Sequence, residues 1–309
     1  MKIAIIGTGG IGGYFGGMLA RAAFDVSFLA RGEHFTAIKS RGLTIKSLNN
    51  DFHINNVQIF DKIQNLGTSD FIILCVKAWQ IKEIREDIKS IMGNDSVVLP
   101  LQNGVMAVEE LSEVLKKSNI LGGLCRIISK IESPGIINHF GISPLITFGE
   151  LNKSLSNRAL EIKAIFDKAG INNQISNDID SDIWKKFISI CVSGLLAITR
   201  TTYGELRGLK ETREMMIDLL NEIITLAMKI GININRDFLN NALSFIDSFP
   251  YNSTSSLTRD VWEGKPSEID YQNGTVVKLG EKYGVPTPVN KFIYNCILPM
   301  ELKARNQFN

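Results

Sequence analysis

An α/β fold in two parts is predicted for this chain: an N-terminal Rossmann-type domain built on a parallel sheet, followed by an all-α C-terminal domain. Three observations predict it. An apolar run, Ile3-Ala4-Ile5-Ile6, leads directly into Gly7-x-Gly9-x-x-Gly12 and then into helical periodicity. Further continuous apolar runs alternate with helix-like segments through the first half of the chain. After about Asp178 strand-like runs nearly vanish and long helical patterns take over. The expected domains are residues 1–175 and 176–309 of the 309-residue chain.

The glycine run sits where a dinucleotide fingerprint belongs, at the end of a first strand and the start of a helix. Gly7 permits the tight turn, Gly9 lets backbone approach a pyrophosphate, and Gly12 lets helix and strand pack closely. With Gly10 and Ile11 these residues form the expected cofactor-binding loop, whose anion lies on unpaired N–H groups at the positive end of the helix dipole. A second strand is expected over Asp25–Ala30, ending in Arg31-Gly32. An Asp or Glu near this point marks NAD through the ribose hydroxyl, whereas an Arg accommodates a 2′-phosphate. Arg31 therefore points to NADPH/NADP, because guanidinium pairs with phosphate through charge-assisted bonds. The alternatives are a solvated Arg31 and a Glu33 that folds back to the ribose.

Asp70–Val76 and Ser96–Leu101 read as strands buried on both faces of a parallel sheet, with a helix over Ile81–Met92 between them. Gly122–Ser129, Gly135–Phe140 and Pro144–Glu150 read as further strands, and Leu155–Ala169 as a helix stopped by Gly170. Four helices follow: Asp182–Ile198, Glu211–Ile230, Asn235–Phe249 and Pro266–Tyr283. Ligands in open α/β sheets bind beyond the carboxyl ends of the strands. Two of those ends carry notable polar residues, Lys77 and Asn103. A helical domain capping that edge would form a cleft suited to a small molecule.

A hydrophobic fraction of 44%, a charged fraction of 21% and a net charge of +2 are ordinary for a soluble globular chain. No basic block points to nucleic acid, and no apolar run approaches a membrane span. The apolar stretch after Lys2 is too short for a signal peptide. Cys75, Cys125, Cys191 and Cys296 are widely spaced in apolar surroundings and read as free buried thiols of a cytoplasmic protein. His34, His53 and His139 lack metal-like spacing, so no metal site is expected.

A nicotinamide enzyme that reduces a carbonyl needs a proton donor or cation at the oxygen where negative charge develops. Lysine suits that role. Several lysines compete, and pattern alone does not choose among them. Five separated segments supply a choice: the glycine fingerprint with Arg31; Val76-Lys77-Ala78-Trp79-Gln80; Gln102-Asn103-Gly104-Val105; Trp184-Lys185-Lys186-Phe187; and Ser255-Ser256-Leu257 with Glu268-Ile269-Asp270-Tyr271-Gln272-Asn273-Gly274. Together with the tail Gly284–Asn290, they resemble the ketopantoate reductase (2-dehydropantoate 2-reductase) family over nearly the whole chain. The resemblance implies a catalytic Lys186 that donates a proton to the keto oxygen, with Glu268 near it positioning the lysine or holding its charge. It implies that Ser256 holds the substrate carboxylate, that Lys77 and Asn103 line the nicotinamide end of the cofactor, and that Asn103 and Lys186 also meet the substrate. Each residue has a plainer reading: a snorkelling lysine at 186, a helix N-terminal carboxylate at 268, a helix-capping turn at 253–256, and ordinary loop residues at 77 and 103.

One departure from the family pattern stands out. Positions four and eight beyond Lys186 share its face on a continuous helix. The family pattern has asparagine at both, which help bind the polar end of pantoate; here they are Ile190 and Gly194, with Ser193 as a partial substitute. A third family asparagine appears as Ser253. The expected activity is NADPH-dependent reduction of 2-dehydropantoate to D-pantoate, a step of pantothenate and coenzyme A synthesis. The alternatives are a D-2-hydroxyacid dehydrogenase acting on other branched 2-oxo acids and a non-catalytic NADP(H)-binding regulator. A small 2-oxo acid is the expected partner, and the sequence leaves monomer or homodimer open.

Overall fold

The computed structural model describes residues 1–48 and 50–308. The chain folds as two compact units. The first comprises Met1–Gln102 and Met106–Ile179; the second comprises Asn103–Val105 and the chain from Asp180 onward.

In chain order the first unit contains β1 (Lys2–Ile6), α1 (Gly10–Arg21), β2 (Asp25–Leu29), α2 (Gly32–Arg41), β3 (Leu43–Ser47), β4 (Phe52–Ile54), β5 (Gln58–Phe60), β6 (Ser69–Leu74), α3 (Ile81–Ser90) and β7 (Met92–Pro100). It continues with α4 (Ala107–Ser112), β8 (Leu121–Arg126), β9 (Ser129–Ser133), β10 (Ile136–His139), β11 (Leu145–Glu150), α5 (Asn157–Lys168) and β12 (Asn173–Ile175). The main sheet has five parallel strands in the order β5-β2-β1-β6-β7, with Ile5 level with Phe28 on one side and Ile73 on the other. Alternate residues of β1 feed opposite cores. Ile3 and Ile5 join Phe15, Phe28 and Phe71, while Ala4 and Ile6 join Leu74, Ile81 and Ile88. Both faces are thus covered, which is why these strands read as unbroken apolar runs.

Two smaller sheets complete the unit, in the orders β4-β3-β10-β9 and β12-β11-β8. The sequence reading included neither β3, β4, β5, β9 nor β12. These strands are short, and β4 and β9 leave much of their surface exposed, so they lack the apolar run that betrays a buried strand. Within the third sheet, Glu150 is buried and paired through both oxygens with Arg158 at 2.5 and 2.6 Å. Burial alone would raise its carboxyl; the bonds from Arg158 and Ser156 outweigh this and hold it below its ordinary value.

The second unit is helical: α6 (Ile179–Ile190), α7 (Val192–Thr199), α8 (Tyr203–Gly208), α9 (Lys210–Lys229), α10 (Phe238–Asp247), α11 (Ser256–Trp262), α12 (Asn273–Tyr283) and α13 (Pro288–Ala304). Helix α9 buries Met216, Leu219, Leu220, Ile223 and Ile224, the i, i+3, i+4, i+7 stripe of an amphipathic helix. Local signals set several boundaries. Thr202 and Glu205 form a capping box at the start of α8, Gly284 stops α12 at φ +69°, and Pro288 opens α13. Three expectations are corrected. The single helix over Asp182–Ile198 is two, α6 and α7, divided at Cys191. The span Pro266–Tyr283 holds a 3-10 turn at Ile269–Tyr271 before α12 begins. Cys296 is exposed, not buried. Among the described residues no helix is long and apolar enough to cross a membrane.

Candidate active site

The glycine loop belongs to the first unit. From β1 the chain runs outward to β2 and β5, then returns to β6 on the opposite side of β1. The carboxyl ends of β1 and β6 therefore flank the point where strand order reverses, the usual ligand position in such sheets. Gly7 turns there at φ +100°; a Cβ on it would lie 2.8 Å from the Val76 backbone nitrogen. A Cβ on Gly12 would overlap the Gly7 carbonyl, and one on Gly10 would lie 2.6 Å from the Ser129 carbonyl. Gly9 differs, because a Cβ there meets nothing within 4 Å. Its backbone faces open space at the N-cap of α1, where no side chain caps the helix and no acidic residue occupies the first turn. Ile11, in that first turn, is partly buried and packs on the sheet's core. The first-turn N–H groups are thus left for an anion, and these residues fit a pyrophosphate.

Arg31 ends β2 as the N-cap of α2; it is exposed and makes no ion pair among the described residues. Glu33 is also exposed, in the first turn of α2. Lys77 follows β6, exposed, with its N–H donated to Gln80 Oε1 at 3.1 Å and its ammonium 5.7 Å from the Trp79 ring centre. His34 was given no role by its sequence context. Its Nε2 bonds the Thr8 carbonyl at 2.8 Å and its Nδ1 accepts the Gly135 N–H at 3.0 Å. Accepting at Nδ1 places the proton on Nε2. The ring therefore ties the glycine loop to the helix that Arg31 opens, in the neutral form. His139 is buried and structural, bonded to Ser47 and to the Ile142 carbonyl.

The second unit brings together Lys186, Asn103 and Glu268. Lys186 projects from α6 and donates to Asn103 Oδ1 at 2.9 Å. The same carboxamide donates through Nδ2 to Glu268 Oε2 at 3.1 Å. Each end of the amide faces the only charge that it can bond: ammonium solely donates and carboxylate solely accepts. Glu268 is 5% exposed, at the start of the 3-10 turn. Lys185, the competing lysine, turns instead toward Asp182 at 3.5 Å and is 41% exposed. A half-buried ammonium backed by a buried carboxylate can give a proton to a developing alkoxide, becoming a neutral amine that a proton from solvent recharges.

Ser256 lies in the first turn of α11, exposed, with no hydrogen bond from its hydroxyl among the described residues. The cap is Ser255, whose Oγ accepts the Thr258 N–H at 3.0 Å. Ser253 donates to the Pro250 carbonyl at 2.7 Å. Ile190 is the last residue of α6, four beyond Lys186. Gly194 belongs to the next helix, across a one-residue junction at Cys191, which keeps right-handed helical dihedrals (φ −64°, ψ −17°). Gly194 is packed tight: a Cβ would overlap Asn273 Oδ1 and lie 2.7 Å from Ile293 Cγ2. Asn273 is fully buried and donates to the Cys191 carbonyl at 3.2 Å and to Asn290 at 2.9 Å. The Cys191 carbonyl also accepts the Gly194 N–H at 3.3 Å, an i+3 bond that tightens the chain at the junction between α6 and α7. Ser193 is no substitute ligand; it is buried and hydrogen-bonded to Tyr203, a phenol that burial pushes up to about 12.

Two outcomes are expected. Gly194→Ala should lower stability by about 1–3 kcal/mol through overpacking, measured by urea unfolding. Burial holds His34 below the ordinary 6.5, against the smaller upward pull of the Thr8 carbonyl. A histidine so lowered contributes fully above its unfolded value, and the contribution is lost as pH falls below it toward the folded value. Folding stability, followed by urea unfolding, should fall by up to about 1.4 kcal/mol per pH unit in that window, and His34→Gln should flatten the step.

Comparison with known proteins identifies the family and its fold. The family described as Ketopantoate reductase PanE/ApbA matches residues 3–153, and its C-terminal counterpart matches residues 178–301. A 2-dehydropantoate 2-reductase from Nostoc sp. is 29% identical over 301 residues, covering 95% of this chain and 93% of its own. The crystal structure of a PanE/ApbA family ketopantoate reductase from Ralstonia eutropha superposes with a TM-score of 0.90 at 28% identity, covering 99% of this chain and 100% of that one. A ternary structure of D-mandelate dehydrogenase with NADH and anilino(oxo)acetate superposes at 0.89 with 26% identity, covering 99% of both chains. The chain therefore belongs to the ketopantoate reductase family of dinucleotide-binding oxidoreductases.

Proposed function

We propose that this chain is an NADPH-dependent reductase of 2-oxo acids, with 2-dehydropantoate as the lead substrate and D-pantoate as the product, in pantothenate synthesis in the cytoplasm. The observation that carries this reading is the placement of Lys186 and Glu268 on the two ends of the Asn103 amide. Gly7, Gly9, Gly10, Ile11 and Gly12 would hold the pyrophosphate, Arg31 the 2′-phosphate, and Lys77 and Asn103 the nicotinamide end. When bound, the cofactor supplies hydride to the keto carbon. Lys186 donates the proton to the keto oxygen, so that carbonyl, hydride and proton become a secondary alcohol. Asn103 keeps the ammonium aimed, and the Glu268 carboxylate favours its charged form before proton transfer. Ser256, with its hydroxyl left over from capping, anchors the substrate carboxylate.

A second reading is favoured by Ile190 and by the likeness to D-mandelate dehydrogenase. In it the same proton donor serves 2-oxo acids with branched or aromatic apolar side chains. An aliphatic group at 190 leaves no partner for a substrate hydroxyl, and sites that do supply such partners discriminate strongly. That neighbour was solved with NADH, so the choice of cofactor is also open to test.

The test is a screen of 2-oxo acids with NADPH and NADH, followed by loss of reduced-nicotinamide absorbance. The lead reading expects 2-dehydropantoate to be preferred over 2-oxoisocaproate; the reverse preference favours the second, and Ile190→Asn should then shift kcat/KM back toward the hydroxylated acid. Arg31→Ala should weaken NADPH roughly 10- to 100-fold and leave NADH unchanged. Lys186→Ala should lower kcat roughly 100- to 10,000-fold with NADPH affinity retained. Normal turnover in that variant would refute the mechanism. Tight NADPH binding without oxidation by any 2-oxo acid would identify a regulator instead.

A further inference from the structure

The segment that carries Glu268 is gripped by one face of the C-terminal helix. Residues 267–273 contain the 3-10 turn and the start of α12, and four side chains of α13 and its C-cap reach into them. Asn290 accepts from Asn273 Nδ2 at 2.9 Å. The Tyr294 hydroxyl donates to Asp270 Oδ1 at 2.6 Å. Glu301 accepts the Ser267 N–H at 2.9 and 3.1 Å, and also the Ser267 hydroxyl at 2.5 Å. Arg305 donates to Glu301 at 2.6 Å and to the Ser267 carbonyl at 3.1 Å. Every polar group of Ser267, the residue before Glu268, is therefore held by α13 or its cap. At about 100° per residue, positions 290, 294, 301 and 305 fall within a stripe about 60° wide.

We propose that α13 is the positioning element of the catalytic centre, and that Glu301 with Arg305 fixes Ser267 so that Glu268 meets Asn103. The proposal rests on the assignment of Lys186 and Glu268 to turnover. Three features carry it. Glu301 and Ser267 are 2% and 1% exposed. A buried ionic group is an inefficient way to add stability, since apolar residues of similar volume often serve as well. Glu301 spends its two oxygens on the backbone and hydroxyl of one residue, which constrains the dihedrals that aim the next side chain. Tyr294 and Asn290 then pin the same segment two and five residues beyond Glu268, so the carboxylate is fixed from both sides. A proton-donor network tolerates little slack: misplacement by about 1 Å costs up to roughly 100-fold in rate.

The experiment compares Glu301→Gln, Tyr294→Phe and Ile297→Val in the full chain, with kcat, KM, NADPH affinity, the pH profile of kcat and thermal stability measured for each. Ile297 is buried on the same helix and its side chain has no polar atom to bond the clamp, so its variant reports lost packing alone. Glu301→Gln is expected to lower kcat roughly 10- to 100-fold and to move the pH profile, with NADPH affinity unchanged. Tyr294→Phe, the milder change, should do the same to a smaller degree. Ile297→Val should lower stability yet keep kcat within about twofold. If Glu301→Gln fails to fold, Tyr294→Phe decides the matter by the same criteria. Full kcat in the clamp variants, alongside an inactive Lys186→Ala, overturns the positioning role alone. Normal turnover in Lys186→Ala overturns the reading of the site and this proposal with it.

Discussion

One carboxamide holds the opposite charges of the candidate centre in register. Asn103 accepts from the Lys186 ammonium and donates to the Glu268 carboxylate, so its own dipole is aligned with the field between them. The loop that presents it is built for close approach. Gly104 turns at φ +99°, and a Cβ there would lie 2.9 Å from the Tyr271 carbonyl in the turn that follows Glu268. A side chain at 104 would therefore push the Asn103 backbone away from the carboxylate it serves. Asn103–Val105 accordingly belong to the second unit.

The second unit commits much of its buried polarity to this geometry. Glu301, Ser267, Asn273 and Asn290 are all buried, and each would be replaced by an apolar residue if packing were the sole demand. Asn273 leaves its Oδ1 without a partner among the described residues while its nitrogen serves Cys191 and Asn290. Unsatisfied buried acceptors are costly, so this amide marks a place where chain geometry at the α6–α7 break outweighs local stability. The same amide fills the space beside Gly194. The small residue at that position is a packing requirement of this chain, and the absence of a side chain there does not by itself enlarge a substrate pocket.

Much of the first unit was legible in the sequence because its physics is local. Continuous apolar runs mark strands covered on both faces, and Gly7 and Gly12 each answer a steric demand that the structure displays, whereas Gly9 borders open space. The short strands β3, β4, β5, β9 and β12 were not legible: β3, β5 and β12 pair with strands distant in the chain, while β4 and β9 pair with their neighbours but lack an apolar run. The approach of Lys186 to Glu268 followed from resemblance, whereas the bridging amide between them required coordinates. The junction at Cys191 carries no Gly or Pro signal, and Asn273, which donates to its carbonyl, lies 82 residues away. His34, Tyr294, Glu301 and Arg305 carry no motif. Their roles come from tertiary contacts, and the helical spacing of 290, 294, 301 and 305 was the one available hint.

The bridge through Asn103 is tested most directly by a double-mutant cycle on kcat between Asn103→Ala and Glu268→Gln. If the amide transmits the influence of the carboxylate to Lys186, the double variant is little worse than either single one, and the coupling energy is of the order of 1 kcal/mol or more. Strictly additive losses would contradict it, because they would mean that Asn103 and Glu268 act on the reaction independently.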